Sequence, residues 1–142
     1  MGERILVPFD GSPLARRALE RAVTEHPGAD ITALYVLDPL LAVYEAEVEG
    51  LPAAESWHER MAEFADDVCA AAVEHIDGHD CTITTATEVG RPARAILEYA
   101  DEHGIEHIIM GSHGREGVSR LVLGSVAERV MRHAPIPVTI VR

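Results

Sequence analysis

The alternation of short apolar runs with longer segments of helical periodicity limits this chain to few folds. Apolar runs typical of strands buried on both faces of a parallel sheet cover Arg4 to Phe9, Ile31 to Leu37 and Ile105 to Met110. Thr82 to Val89, rich in β-branched residues, is a candidate edge strand, and Pro137 to Val141 is the last strand. Because helical segments separate the strands, we predict an α/β fold with parallel strands, right-handed crossovers and helices on both faces.

Turn and capping residues set the limits of the predicted helices. Ser12 and Pro13 are typical of an N-cap and a first helical residue, and His26-Pro27-Gly28 ends that helix. Further helices are predicted from Trp57 to Ile76, from Pro92 to Gly104 and from Gly124 to His133. The stretch from Asp38 to Ala54 has no clean periodicity. Since no internal repeat or linker is found, residues 1–142 are predicted to form a single domain.

Acidic residues dominate the charge of the chain. Twenty-four Asp and Glu face 12 basic residues, all of them arginine, so the formal net charge is −12. This charge repels nucleic acid backbones and anionic membranes, and no apolar run approaches the ~18 residues that span a bilayer. We therefore predict a cytoplasmic protein that binds neither nucleic acid nor membrane. The acid-rich, lysine-free composition is typical of halophilic proteins; an acidic surface kept for solubility is the alternative.

The cysteine and histidine positions do not indicate a metal site. Cys69 and Cys81 are predicted to be reduced, because a chain of this size needs no disulfide. Together with His75 and His79, these cysteines have spacings that match no compact zinc motif. We therefore predict no direct protein ligands for a metal ion.

A loop framed by glycines follows the strand that ends at Met110. It reads Gly111-Ser112-His113-Gly114, then nine residues, then Gly124-Ser125 at the start of a helix. Glycine lets an anion approach backbone N–H groups, and a helix N-terminus adds unpaired amides and partial positive charge. Ser125 offers a hydroxyl group and a helix cap. The loop therefore indicates phosphate binding, and the alternative is that its glycines only turn the chain.

Two other phosphate motifs are excluded, and a third family pattern fits. A Walker motif requires a lysine, and no G-x-G-x-x-G follows the first strand. The spacing G-x2-G-x9-G-[ST] resembles the loop of ATP-binding universal stress proteins. The segments Ile5 to Ser12 and Pro135 to Val138 resemble the beginning and the end of the same family. The resemblance covers essentially the whole chain.

This resemblance implies an open five-stranded sheet of order 3-2-1-4-5, a Rossmann-like fold of the adenine nucleotide alpha hydrolase type. It also implies ATP as the ligand, with magnesium bound through the ATP phosphates. The implied contacts are Pro8, Phe9 and Asp10 at the adenosine end, the backbone of Val36 at adenine, and Met110, Gly111, Ser112, His113, Gly114, Gly124, Ser125 and Val126 around ribose and phosphates. Arg115 stands where relatives often carry a lysine and is a further candidate contact.

Several of these residues have simpler structural explanations. Asp10 is a candidate contact for ribose or, through water, for magnesium; an Asx turn at the strand end is the alternative. His113 has no partner visible in the sequence and is predicted to be a solvated loop histidine rather than a general base. Ser112 lacks the surroundings of a nucleophile elbow. We predict no catalytic residues.

The leading functional hypothesis is an ATP-binding module that acts as a sensor or regulator in the stress response, with at most slow hydrolysis. A true ATPase or adenine-nucleotide hydrolase, and a nucleotide-free dimeric scaffold, are the alternatives. The resemblance implies a homodimer formed through the C-terminal edge strand Val138–Val141. A protein partner is expected, but its identity cannot be inferred from the sequence.

Overall fold

The computed structural model describes residues 2–39, 63, 66, 70, 82–113 and 123–142, and the structural statements below concern these residues. The strands are β1 (Arg4–Pro8), β2 (Asp30–Leu37), β3 (Thr82–Val89), β4 (His107–Gly111) and β5 (Val138–Val141). The helices are α1 (Pro13–Glu25), α2 (Pro92–Glu102) and α3 (Ser125–His133). Residues 63, 66 and 70 are also helical, within the predicted helix from Trp57 to Ile76, whose other residues lie outside the described part.

The strands form one parallel sheet in the order β3-β2-β1-β4-β5, which confirms the predicted topology. β1 lies at the centre, paired with β2 on one side and with β4 on the other. β3 and β5 are the two edge strands, as predicted. β2 and β3 pair along eight residues, whereas β4 and β5 pair along four.

Two hydrophobic cores cover the two faces of the sheet. Successive side chains of a strand point to opposite faces, so Ile5 and Val7 pack with α1, while Leu6 packs with α2 and α3. All three of these β1 side chains are fully buried. The prediction of helices on both faces is therefore confirmed. Among the described residues, no helix has the length and apolar character needed to cross a membrane.

The predicted cap of α1 is confirmed, and the predicted cap of α3 is wrong. The Ser12 Oγ accepts a hydrogen bond from the Ala15 N–H at 3.3 Å, and Pro13 begins the helix. In α3 the N-cap is Gly124, which makes no side-chain bond, and Ser125 is the exposed first helical residue. Gly124, with its extended backbone, is at the N-cap position, where a side chain could cap the helix. Ser125 is one residue further along the chain, so its hydroxyl group is not at the capping position.

The limits of two central strands differ from those predicted. β1 ends at Pro8 rather than at Phe9, and β4 covers His107 to Gly111 rather than Ile105 to Met110. Ile105 is excluded from β4 because its N–H donates to the Ala100 carbonyl and closes the end of α2. At its other end, β4 extends to Gly111 through pairing with Val141.

Candidate functional site

The carboxyl ends of β1 and β4 lie side by side at the centre of the sheet. β1 connects to β2 on one side, whereas β4 continues to β5 on the other, so strand order reverses between β1 and β4. Open parallel sheets bind ligands at such a switch point. The register Ile5 to His107, continued along both strands, sets Phe9 level with Gly111. The structure thus brings two distant groups of candidate residues to the same crevice.

At the end of β1, Asp10 forms a tight turn into α1. Its Oδ1 accepts a hydrogen bond from the Ser12 N–H at 2.9 Å, and Gly11 between them has a φ of 80°. This is the Asx turn that the sequence offered as the alternative explanation of Asp10. Phe9 is almost fully buried, and Pro8 is half-buried. A ligand contact by Asp10 stays a prediction.

At the end of β4, Gly111 allows α1 to approach the sheet closely. A Cβ atom at Gly111 would lie 2.8 Å from the Leu14 Cβ and 3.2 Å from the Leu14 carbonyl carbon. Met110 and Ser112, the neighbours of Gly111, are both nearly inaccessible to solvent. The Ser112 N–H donates to the Val141 carbonyl at 2.8 Å. Helix packing therefore requires a glycine at position 111, whatever the ligand.

The second glycine of the motif joins the start of α3 to the end of β4. The Gly124 N–H donates to the Ser112 carbonyl oxygen at 2.7 Å. A Cβ atom at Gly124 would lie 2.8 Å from this oxygen and 3.2 Å from the His113 Cα. Its φ of −63° is open to any residue, so close contact with the backbone is what requires glycine here. Gly124 thus has a packing reason beside its proposed phosphate role.

His113 has a neighbour that the sequence did not reveal. The half-buried ring places Nδ1 3.3 Å from the Ser112 Oγ. The ring is therefore only partly solvated and has a hydroxyl neighbour, while its assignment as a loop histidine rather than a general base stays a prediction. Gly114 and Arg115 lie outside the described residues. On the far side of the crevice, Ser125 is exposed and Val126 is half-buried.

A cleft of about 500 Å³ opens between α1 and the end of β4. It is lined by Leu14, Arg17, Ser112, His113 and Arg142. Both arginines were missed as site residues. The signals were available: Arg17 follows Leu14 by one helical turn, and the pairing of Gly111 with Val141 carries Arg142 to the level of Ser112.

Val36 lies near the end of β2, where the strand extends past its partner. The last residue pair between β1 and β2 joins Pro8 and Leu34, and the Phe9 N–H still donates to the Leu34 carbonyl at 2.8 Å. The N–H and C=O groups of successive residues point to alternate sides of a strand. Those of Val36, two residues after Leu34, therefore point toward β1, as those of Leu34 do. Val36 therefore stands beyond the β1 ladder, at the carboxyl edge of the sheet.

The chain was compared with known protein families and structures. The model of the Universal stress protein family matches residues 1–142. A universal stress protein of Methanocaldococcus jannaschii, MJ0531, is 32% identical over 145 residues, which cover 99% of this chain and 82% of that protein. A Thermus aquaticus universal stress protein, encoded in the QAH/OAS sulfhydrylase 3' region, is 32% identical over 146 residues, with both chains fully covered.

Solved structures give the same result. The structure of hypothetical protein MJ0577 superposes with a TM-score of 0.83 at 26% identity, covering 99% of this chain and 96% of the other. The universal stress protein UspA from Lactobacillus plantarum gives a TM-score of 0.66 at 30% identity, covering 99% and 97%. The fold is the adenine nucleotide alpha hydrolase-like fold that the resemblance implied. From the family match over all 142 residues and from these relatives, we conclude that the chain belongs to the universal stress protein family.

Proposed function

We propose that this universal stress protein forms a single domain that binds ATP, with magnesium held through the ATP phosphates, and acts as a nucleotide-dependent sensor or regulator in the stress response. The observation that carries the proposal is the hydrogen bond between Gly124 and Ser112, which holds the N-terminus of α3 at the end of β4. This contact sets helix amides beside the switch-point crevice. The proposal includes at most slow hydrolysis and no catalytic residue.

The N-terminus of α3 is suited to a phosphate group. The first intrahelical bond runs from the Glu128 N–H to the Gly124 carbonyl, so Ser125, Val126 and Ala127 contribute amides from the first turn that have no partner within the helix. The N-cap residue, Gly124, has no side chain to cap this end. The helix dipole adds about half a positive charge, and the exposed Ser125 hydroxyl offers another donor.

The cleft beside the loop adds positive charge. Arg17 and Arg142 line it in a chain whose formal net charge is −12. Arginine pairs with phosphate through a planar fork of donors, which favours a ligand with several phosphates. Their position supports a nucleoside polyphosphate over an uncharged ligand.

The other end of the crevice suits the adenosine moiety. The half-buried Pro8 offers apolar surface at the end of β1, and Val36 offers backbone groups beyond the ladder. Two further proteins of this fold were solved with adenine nucleotides, one a universal stress protein with cAMP and one from Arabidopsis thaliana with AMP. At 22% and 16% identity they support only the capacity of the fold for such ligands.

The first test is nucleotide binding to the purified protein. We expect calorimetry to detect ATP binding in the presence of magnesium, and Gly124→Val to weaken it by about 100-fold or more, since the branched side chain meets the Ser112 carbonyl. Because Gly124→Val would also disturb the loop, two variants of exposed arginines on α1 complete the test. Arg17→Ala should weaken ATP binding roughly fivefold, whereas Arg16→Ala, equal in charge, should not. No binding by the unmodified chain would refute the proposal.

A second test separates a binding module from an ATPase. Fast phosphoryl transfer needs a positioned water and cationic groups around the transferred phosphate, and the chain contains no lysine. We expect turnover far below ~1 s⁻¹, the lower limit of typical enzymes. A rate at or above that value would establish the alternative, a true ATPase.

We also propose a homodimer formed through β5. Among the described strands, β5 pairs with β4 alone, so its other edge is available for a second copy. A twofold contact would pair both edges at once, against the repulsion of two chains of charge −12. The Debye length falls from about 30 Å at 0.01 M salt to about 3 Å at 1 M. We therefore expect a dimer in molar salt that loosens at low salt. A monomer at high salt, measured by light scattering, would contradict the proposed dimer.

A further inference from the structure

Three metal-ligating side chains meet at the amino end of the sheet, away from the nucleotide crevice. Glu3 precedes β1, His26 follows the last turn of α1, and His107 begins β4. The His26 Nδ1 lies 3.2 Å from the Glu3 Oε2, and the His107 Nδ1 lies 3.4 Å from the Glu3 Oε1. The two imidazole rings meet edge to face, with their centroids 5.2 Å apart.

The distances within this cluster suit a tetrahedral metal ion. One ligand atom from each of the three side chains lies within 4.8 Å of the other two. Zinc bonds of about 2.0–2.1 Å place neighbouring tetrahedral ligands about 3.3 Å apart. Each histidine Nδ1 lies at about this distance from one oxygen of the Glu3 carboxylate, His26 from Oε2 and His107 from Oε1. We propose that Glu3, His26 and His107 bind a divalent transition metal, best represented by Zn²⁺, with the fourth position open to water or another ligand.

The surroundings of the cluster hold its ligands in order. The His107 Nε2 lies 2.7 Å from the Thr139 Oγ1 on β5. When Nε2–H donates to that hydroxyl group, the Nδ1 lone pair faces Glu3 and is ready to bind a metal. Thr139 is therefore a positioning residue, in the role that outer-shell partners fill in zinc proteins.

The end of α1 favours a cation at the same place. His26 is the C-cap residue of α1, and the last turn of the helix contains no basic residue. The negative end of the helix dipole therefore lies at His26, a member of the cluster, and no lysine or arginine in the last turn offsets it. The side chains of His26 and His107 are 23% and 15% exposed and that of Glu3 is 38% exposed, so an ion can reach the cluster from solvent.

Zinc titration of the full chain, treated with chelator and free of nucleotide, tests the site. We expect one Zn²⁺ per chain by calorimetry, a rise in the melting temperature on binding, and weak competition by Mg²⁺, which prefers oxygen ligands. His107→Ala and Glu3→Gln should each weaken binding by about 100-fold or more. His133→Ala, which removes an exposed histidine on α3, is the matched control and should bind as the parent does.

Two further measurements keep the test decisive. Thr139→Val should weaken binding by about tenfold and preserve the stoichiometry, as expected for loss of an outer-shell partner. Co²⁺ in place of zinc should give a visible spectrum without the thiolate bands that a site at Cys69 or Cys81 would add. Zn²⁺ affinity unchanged in His107→Ala and Glu3→Gln, with both variants folded by circular dichroism, would overturn the proposal. Since the assay contains no nucleotide, its result is independent of ATP binding.

Discussion

The two ends of β4 are suited to ligands of opposite charge, and by opposite means. At the carboxyl end, Gly111 and Gly124 remove side chains so that backbone groups approach one another, which suits an anion. At the amino end, His107 contributes a side chain to a cluster with Glu3 and His26, which suits a cation. A backbone site depends on glycine spacing and can be found in the sequence. A side-chain site built from three distant segments appears only in the folded chain.

Among variants that distinguish the two ends of β4, Gly111→Ala is expected to have the largest effect on stability and ligand binding. Its Cβ would lie 2.8 Å from the Leu14 Cβ, and overpacking of this kind costs about 1–3 kcal/mol of unfolding free energy. ATP binding should weaken because the end of β4 moves, whereas Zn²⁺ binding should stay unchanged. Urea denaturation and calorimetry with each ligand measure the three quantities.

Gly28→Ala is the control for Gly111→Ala at the opposite end. A Cβ there meets nothing within 4 Å, but the φ of +80° costs an alanine about 1 kcal/mol. ATP affinity should therefore persist in spite of the lost stability. If both glycine variants weakened ATP binding equally, general destabilisation rather than local geometry would explain the loss, and the distinction between the two ends would fail.

An intermediate effect is expected at the two ends of α1. Ser12→Ala removes the buried oxygen that accepts from the Ala15 N–H, at a cost of about 1 kcal/mol in unfolding free energy. Thr24→Ala, near the exposed end of the same helix, removes a hydroxyl group that donates to the Glu20 carbonyl at 2.9 Å. We expect a change within about 0.5 kcal/mol there. Equal losses in urea denaturation would contradict the capping role of Ser12.

The smallest effect concerns Tyr99, on α2. Burial raises the pKa of its phenol above the ordinary value of about 10, Glu88 and Asp30 add to the rise, and a hydrogen bond with Thr32 opposes it. Because the folded state favours the neutral phenol, this stabilisation is complete below pH about 10 and is lost as the pH rises through the folded-state pKa. Tyr99→Phe should therefore reduce the alkaline loss of stability in urea denaturation; an unchanged pH profile would disprove this role.

The types of the elements and the cap of α1 could be predicted because each depends on local patterns, whereas the order of the strands was implied only by the family resemblance. Apolar runs, turn residues and the pair Ser12-Pro13 act within a few residues of where they stand. The cap of α3 was mispredicted because a shift of one residue decides whether Gly124 or Ser125 is the N-cap. For this reason the types of the elements were predicted correctly, although the first or last residues of some elements were not.

The candidate site was predictable in position but not in full composition. The glycine spacing led to the carboxyl ends of β1 and β4, although the contact of Gly111 with Leu14 depends on helix packing. Arg17, on α1, and Arg142, after β5, also line the cleft, and no local sequence motif predicts this. The ligand contacts assigned to Asp10 and Val36 stay predictions, as do those of Gly114 and Arg115, which lie outside the described residues.

The hydrogen bond from the Gly124 N–H to the Ser112 carbonyl has a consequence for evolution. The Gly124 nitrogen lies 2.7 Å from the Ser112 oxygen, so this bond holds the two ends of the intervening segment together. It joins the sheet to α3 independently of the residues between them. The closure entropy of a flexible loop rises by only about 0.6 kcal/mol for each doubling of its length. A change in the number of residues between these two anchoring groups is therefore expected to cost little in closure entropy. If the proposed nucleotide site is correct, changes between Ser112 and Gly124 would alter the ligand while this hydrogen bond keeps the sheet and α3 joined.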